Sequence, residues 1–363
     1  MTDKYTSLLD EHRKLGARLI DFAGWDMPLQ YEGVVAEHNA VRNDVGVFDV
    51  SHLGKLLLTG PDAVETLQQA VTADVAAVEP GTATYALCLT DDGGCIDDVF
   101  VYRLDADDLL VVPNAANVDA VAEAIRSAGS APVVDAWDRW AILAIQGPRS
   151  FEVVEKLWPT AGTSEMKLYS WTNLDVFGAE GMVARTGYTG EPGFELYAPV
   201  ATAPAAFAAL MEAGVVPVGL GAGDTLRLEM GYALYGHELT LDINPLEAGL
   251  GWAVTWDAPF RGRDALSKVK EEGPARRLFG IRCTGRGVPR QHYPVMLDGE
   301  RIAEVTSGNF SPTLQTGIAL ALGPSTQRSD EGSAVMIDAR GRSIPGDIVK
   351  PPFVDRGKKR STS

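Results

Sequence analysis

The spacing of apolar positions changes twice along the chain, and each change marks a different kind of element. In KLLLTGPDAVETLQQAV a short apolar strand meets a turn at Gly60-Pro61, after which Val64, Leu67 and Val71 fall on one face of a helix. WAILAIQGPRSFEVVEKLW repeats this grammar at Gly147-Pro148, about 87 positions later, and so points to two similar α+β subdomains. Between them NVDAVAEAIRSAG sets Val118, Val121, Ala122 and Ile125 along a helical stripe expected to stop at Gly129. APAAFAALMEAG predicts a further helix from Pro204 to Gly214, with strands in the intervals, so residues 1–270 read as α+β. SKVKEEGPARR then predicts a linker over Glu271 to Arg276. Beyond it LFGIRC, PVMLDGERIAEV with an Asp298-Gly299 turn, TGIALALG and SAVMIDARG predict a small all-β domain over 277–354.

Composition sharpens this picture. The 363 residues are 45% hydrophobic and 22% charged, with no apolar run of membrane-spanning length. MTDKYTSLLDEHRK has neither an apolar signal core nor the acid-poor look of a transit peptide, which leads to the expectation of a cytoplasmic protein. A net charge of −17 argues against a nucleic-acid footprint. Cys88, Cys95 and Cys283 show no CxxC or zinc spacing, so they read as packed thiols and no metal site is expected. The basic end at 355–363 reads as a disordered tail.

Three stretches carry candidate chemistry. GGCIDDVFVYRL puts Asp97 and Asp98 at the mouth of a strand, where side-chain alternation sends them to opposite faces. Asp98 shares its face with Ile96, Phe100 and Tyr102; Asp97 goes with Cys95, Val99 and Val101. In RTGYTGEPGFELYAP a tight loop feeds the strand of Glu195, either a solvated strand charge or a carboxylate for a ligand edge with two parallel N–H donors, as in a pterin or a guanine. Tyr188 in that loop either stacks on a flat ring or caps the core. Gly219, Gly221 and Gly223 lack the spacing of a dinucleotide loop, and Asp224 with Arg227 reads as an i,i+3 ion pair.

Together with LGARLIDFAGWDMPLQY, VGVFDVSHLGK, DTLRLEMGYALYGHEL, NPLEAGLGWAV, FRGRDAL, VTSGNFSPTLQTGIALA and VKPPFV, these stretches make the chain resemble the glycine cleavage T-protein family, the tetrahydrofolate-dependent aminomethyltransferases, to about Phe353. The resemblance implies two α+β (ferredoxin-like) subdomains and a C-terminal β-barrel in a clover-leaf around a central folate site. It also implies a reaction. A lipoylated H-protein presents an aminomethyl group, and tetrahydrofolate takes the carbon as 5,10-methylenetetrahydrofolate, releasing ammonia and the dihydrolipoyl arm. The decarboxylase and lipoamide dehydrogenase of the system are implied as further partners. Asp98 matches the family's catalytic acid, a fixed carboxylate that steadies an iminium-like carbon, while Asp97 is expected to be structural. Glu195 would hold the pterin's amino edge. Tyr188, Tyr85, Asn114 and Tyr235 match positions that line or support the folate site, and Trp252 is expected to pack in the core.

The sequence also departs from the family. AGDTLRLE puts Gly223 where members carry an arginine, which removes a charge-assisted contact. Arg227 matches the second family arginine, and either compensates or only pairs with Asp224. Leu53 replaces a methionine at similar volume, and Arg356 is placed at the folate glutamate tail. The alternatives are a sibling enzyme with another one-carbon donor and a non-catalytic folate-binding paralogue. The latter is marked by a KGCYxGQE loop where this chain has RTGYTGEPGFE.

Overall fold

A computed structural model describes residues 4–326 and 330–356. The chain opens with β1 (Lys4–Tyr5), α1 (Leu9–Lys14), β2 (Arg18–Phe22) and β3 (Trp25–Gln30), followed by α2 (Val34–Asn43) and β4 (Gly46–Asp49). Strands β1, β3 and β2 form a small sheet of their own, which the apolar spacing did not announce.

The repeated strand–Gly-Pro–helix grammar corresponds to a repeated topology. The first copy runs β5 (Leu56–Thr59), α3 (Ala63–Ala70), β6 (Ala83–Leu89), β7 (Cys95–Asp105), β8 (Asp108–Val112), α4 (Val118–Arg126) and β9 (Val133–Asp135). Its sheet order is β6-β7-β8-β5-β9, antiparallel throughout. The second copy runs β10 (Trp140–Gln146), α5 (Ser150–Leu157), β11 (Trp171–Asp175), β12 (Glu180–Ala184), β13 (Gly193–Pro199), α6 (Ala203–Glu212) and β14 (Val216–Val218). Its order is β11-β12-β13-β10-β4-β14. With the outer strand β6 or β11 set aside, both read strand–helix–strand–strand–helix–strand in the ferredoxin-like order. In the second copy β4 is wedged between the first and last strands, antiparallel to β10 and parallel to β14.

Each sheet buries one face under its own helices. Val99 and Val101 of β7 pack with Leu67 of α3 and Ile125 of α4, and Phe194 and Leu196 of β13 pack with Val154 of α5 and Phe207 of α6. The opposite faces meet each other: Tyr102 and Leu110 lie against Ile142, Met182 and Tyr197. The result is a helix–sheet–sheet–helix stack with a seam between the sheets. Helix α4 ends at Arg126, short of Gly129, whose missing side chain makes room for Thr66 rather than a helix cap.

Helix α7 (Leu220–Glu229) begins earlier than DTLRLEMGY suggested, and Gly219 and Gly221 let it close on Leu29 and Val34. An irregular segment follows, then α8 (Arg263–Glu272), which takes in two residues of the expected linker; the chain turns at Gly273 and enters a strand at Arg276. Strands β15 (Arg276–Cys283), β16 (Pro294–Leu297), β17 (Glu300–Ser311), β18 (Thr316–Pro324), β19 (Ala334–Asp338) and β20 (Ser343–Val349) close a barrel in the order β15-β18-β17-β16-β19-β20, sealed by β15 pairing with β20. Asp298 (φ 52°) and Gly299 (φ 87°) make the two-residue β16–β17 turn. Leu228 of α7 packs on Ile318 and Leu320 of the barrel. Among the described residues no helix is long and apolar enough to cross a membrane.

The segment between β4 and β5 is buried although it reads Ser-His-Leu-Gly-Lys. Lys55, 0% exposed, donates from Nζ to the Ser51 carbonyl at 2.7 Å. Burial pushes its ammonium down to about 7, against the pull of Asp49 and Asp135. The unfolded chain therefore holds this proton up to about 10.5 and the folded chain releases it near 7, so folding stability attributable to Lys55 should rise as pH goes from 7 to 10.5. Urea unfolding at pH 7 and pH 9 is expected to show a gain in stability that Lys55→Met reduces; an identical pH slope in the variant contradicts the assignment.

Candidate functional site

Strand β7 supplies the centre of the site. Its alternation is kept: Asp97 is fully buried with Val99 and Val101 on the helix side, while Asp98, Phe100 and Tyr102 face the seam. Strand β8 pairs with β7 only from Phe100 onward, and beyond Val112 the chain swings away through Pro113. Asn114 occupies the place where the ladder stops. Its backbone N–H donates to Asp97 Oδ2 at 2.8 Å, and its amide nitrogen donates to Asp97 Oδ1 at 2.8 Å and Asp98 Oδ1 at 3.0 Å. The other Asp98 oxygen accepts from the Tyr85 hydroxyl on β6 at 3.1 Å. Burial pushes the Asp98 carboxyl above its usual range, with the Tyr85 and Asn114 bonds acting the other way.

The second carboxylate comes from the facing sheet. Glu195 alternates with Phe194 and Leu196 on β13, so it points into the seam while they enter the core beneath α5 and α6. Its Oε2 accepts from Tyr102 at 3.3 Å and from the Thr186 hydroxyl, and burial raises its pKa. Its Oε1 meets no donor among the described residues. Asp98 and Tyr102 lie four positions apart on one strand, about 13 Å between Cα atoms, and Tyr102 carries that strand face across the seam to Glu195. Both acids are half-buried, and neither has a Lys, Arg or His within ion-pair distance among the described residues.

Aromatic rings surround this pair. Tyr85 packs edge-on to Phe100 at 6.0 Å and stacks on Trp252 at 5.4 Å. Trp252 is not in the core as expected: it stands 69% exposed on a short 3₁₀ turn, with only the Tyr85 side covered. Tyr188, 42% exposed, stacks on Tyr232 at 5.5 Å and donates to the Ala233 carbonyl. Tyr169 approaches Phe100 at 5.7 Å with its own ring exposed. Tyr235 lies half-buried with Tyr85 and Leu239. Apolar spacing gave no signal for Tyr169 and Tyr232, since both sit in irregular loops.

The arginines are placed differently. Arg227 is 2% exposed and fully engaged, by Asp224 at 2.8 Å, Glu238 at 3.2 Å, the Tyr232 carbonyl at 3.0 Å and Ser307 at 2.8 Å. It anchors the segment around Tyr232 from below rather than offering an open charge. Arg356 pairs with Glu191 at 2.7 Å and donates to the Arg42 carbonyl at 3.0 Å, so it ties the expected tail to the Tyr188 loop; residues 357–363 lie outside the described residues. Leu53 lies half-buried beside Tyr102 and Leu110. Cys88, Cys95 and Cys283 are buried free thiols, and among the described residues no cluster of three or more His, Cys, Asp or Glu could hold a metal ion.

Comparison with known proteins decides the family. Residues 8–258 match the model of the GCVT N-terminal domain, and residues 276–355 match the glycine cleavage T-protein C-terminal barrel domain. The chain belongs to the glycine cleavage T-protein family. An aminomethyltransferase of Halothermothrix orenii is 46% identical over 97% of this chain and all of its own length. One from Mycobacterium tuberculosis is 48% identical over 96% of each. The crystal structure of the glycine cleavage system aminomethyltransferase T from Bartonella henselae superposes with a TM-score of 0.90 at 33% identity, covering 97% of this chain and 98% of that one. As a T-protein family member the chain is an aminomethyltransferase of the glycine cleavage system, with the family's fold.

Against the family, Gly223 is the departure that the structure tests most simply. It lies inside α7, where a Cβ would meet only Phe48, at an ordinary 3.5 Å, and one turn before Arg227 on the same face. A glycine in a helix interior costs about 0.5–1 kcal/mol relative to alanine. Gly223→Ala is therefore expected to raise the urea midpoint by that free energy with an unchanged slope; a lowered midpoint would show that Phe48 leaves no room.

Proposed function

We propose that the seam between the two sheets binds tetrahydrofolate, that Asp98 faces the reacting atoms, and that the one-carbon donor is the aminomethylated lipoyl arm of an H-protein. The observation that carries this is the pair of half-buried carboxylates with no cation in ion-pair reach among the described residues. Asp98 is steered only by neutral donors, Tyr85 and Asn114, and Glu195 keeps one oxygen without a protein donor. Such acids are costly in a folded chain unless a ligand supplies positive charge or N–H donors.

The residues present fit a reduced pterin. Glu195 Oε1 supplies an acceptor for an amino edge, and Phe100, Tyr169, Tyr188 and Trp252 supply flat apolar surface. When bound, tetrahydrofolate supplies the nucleophilic amine that accepts the carbon. The chain's own part is electrostatic. An ionised Asp98, fixed in advance by two hydrogen bonds and unquenched by any cation, lowers the energy of positive charge that develops on the transferred carbon as ammonia leaves. The same carboxylate is placed to take the proton released from the attacking nitrogen. Tyr102 and Thr186 hold Glu195 at the far end of the seam, which fixes orientation and so proximity. Support for the H-protein as donor comes from membership of the glycine cleavage family.

Two measurements test this. Asp98→Asn keeps the shape and removes the charge; ammonia release from aminomethylated H-protein is expected to slow by at least about 100-fold. In the unaltered enzyme kcat/KM should climb with pH across a range above that of an ordinary aspartate, because Asp98 works ionised and its pKa is raised. Turnover that survives the substitution removes Asp98 from its role. For Glu195→Gln, calorimetry should show tetrahydrofolate binding weakened by about 1–3 kcal/mol, as expected when a buried hydrogen-bond partner is lost. Unchanged affinity places the pterin elsewhere.

A further inference from the structure

Asp97 is the most elaborately held carboxylate beside the site, yet it faces away from the seam. Besides the two bonds from Asn114 it accepts a third, at 2.7 Å, from the amide nitrogen of Asn117. Asn117 stands at the N-cap of α4, where an asparagine side chain ordinarily accepts from the first turn of its helix. Here it makes no such capping bond and donates to Asp97 instead. The Asn117 N–H also closes the 114–117 turn on the Asn114 carbonyl at 2.9 Å. The helix start is thus folded around Asp97, and this leaves the Asn114 amide with one hydrogen on each aspartate.

From this arrangement we infer that Asn117 and Asp97 are positioning residues for the aminomethyl transfer: they fix the Asn114 amide, and that amide fixes the orientation of the Asp98 carboxylate. The inference rests on the reading of Asp98 given above. Adjacent strand residues point to opposite faces and do not ordinarily share a partner. Asn114 reaches both because β8 ends before Asp98, which leaves that edge of β7 open to a side-chain amide. Without the Asn117 side chain, Asp97 keeps only the Asn114 donors, and the Asn114 amide that orients Asp98 loses the fixed acceptor it is set against.

The test compares Asn117→Ala, Asn117→Ser and Asp97→Asn with Asp98→Asn, by steady-state kinetics with aminomethylated H-protein and by thermal melting. Asn117→Ala is expected to lower kcat about tenfold while KM for tetrahydrofolate stays within twofold. Asn117→Ser, which keeps a donor at this place, should recover part of the loss. Asp97→Asn should lower kcat further, again without a matching rise in KM. If Asn117→Ala and Asp97→Asn keep kcat within twofold while Asp98→Asn is inactive, the positioning role is overturned and Asp98 stands. A parallel loss of kcat and of folate affinity with a lowered melting temperature, unrelieved by Asn117→Ser, reduces Asn117 to a structural residue and overturns the inference. Full activity in Asp98→Asn overturns the underlying reading instead.

Discussion

Two half-buried carboxylates in the seam between two sheets, with no cation within ion-pair distance among the described residues, are the constraint around which the rest of the structure is arranged. Burying such groups is unfavourable, and the fold limits the cost with neutral donors: Tyr85 and Asn114 for Asp98, Tyr102 and Thr186 for Glu195. Neutral donors orient a charge without cancelling it. Ionised, the two acids would give the seam a negative field at fixed points, which the proposed transfer through a positively charged carbon would use.

The architecture explains how the points are fixed. Each sheet is backed by its own helices and presents its other face to its partner, so the acids sit on strands whose far sides are locked in separate cores. The loop that carries Tyr188 is secured from outside by a buried ionic cluster. Arg42 reaches Glu229 at 2.8 Å, Glu191 at 2.9 Å and the Thr189 carbonyl at 2.7 Å, while Ser311 and Thr313 of the barrel also bind Glu229. Buried pairs of this kind contribute little net stability, although removing one partner leaves an uncompensated buried charge. Here they join α2, α7, the barrel and Arg356 around the Tyr188 loop.

Much of this was legible in the chain. Strand alternation alone separated Asp97 from Asp98, and the two Gly-Pro units marked the two ferredoxin-like repeats. The i,i+3 spacing of Asp224 and Arg227 foretold their pairing. What escaped was whatever depends on segments meeting in space. Trp252 reads as core by its chemistry, yet the loop after α7 lays it on Tyr85 with one face open. Asn117 drew no reading from its own stretch, because Asp97, the residue it donates to, comes to it from β7. The wedge of β4 between β10 and β14 joins strands far apart in sequence, and no local pattern announces such a pairing.

The most direct measurement is a crystal structure with 5-methyltetrahydrofolate soaked or co-crystallised into the protein. The account places the pterin's amino edge on Glu195 and the reacting nitrogens beside the Asp98 carboxylate, between the two sheets. Ligand density outside the seam, or a pterin in the seam with both acids beyond hydrogen-bond reach of it, would contradict it.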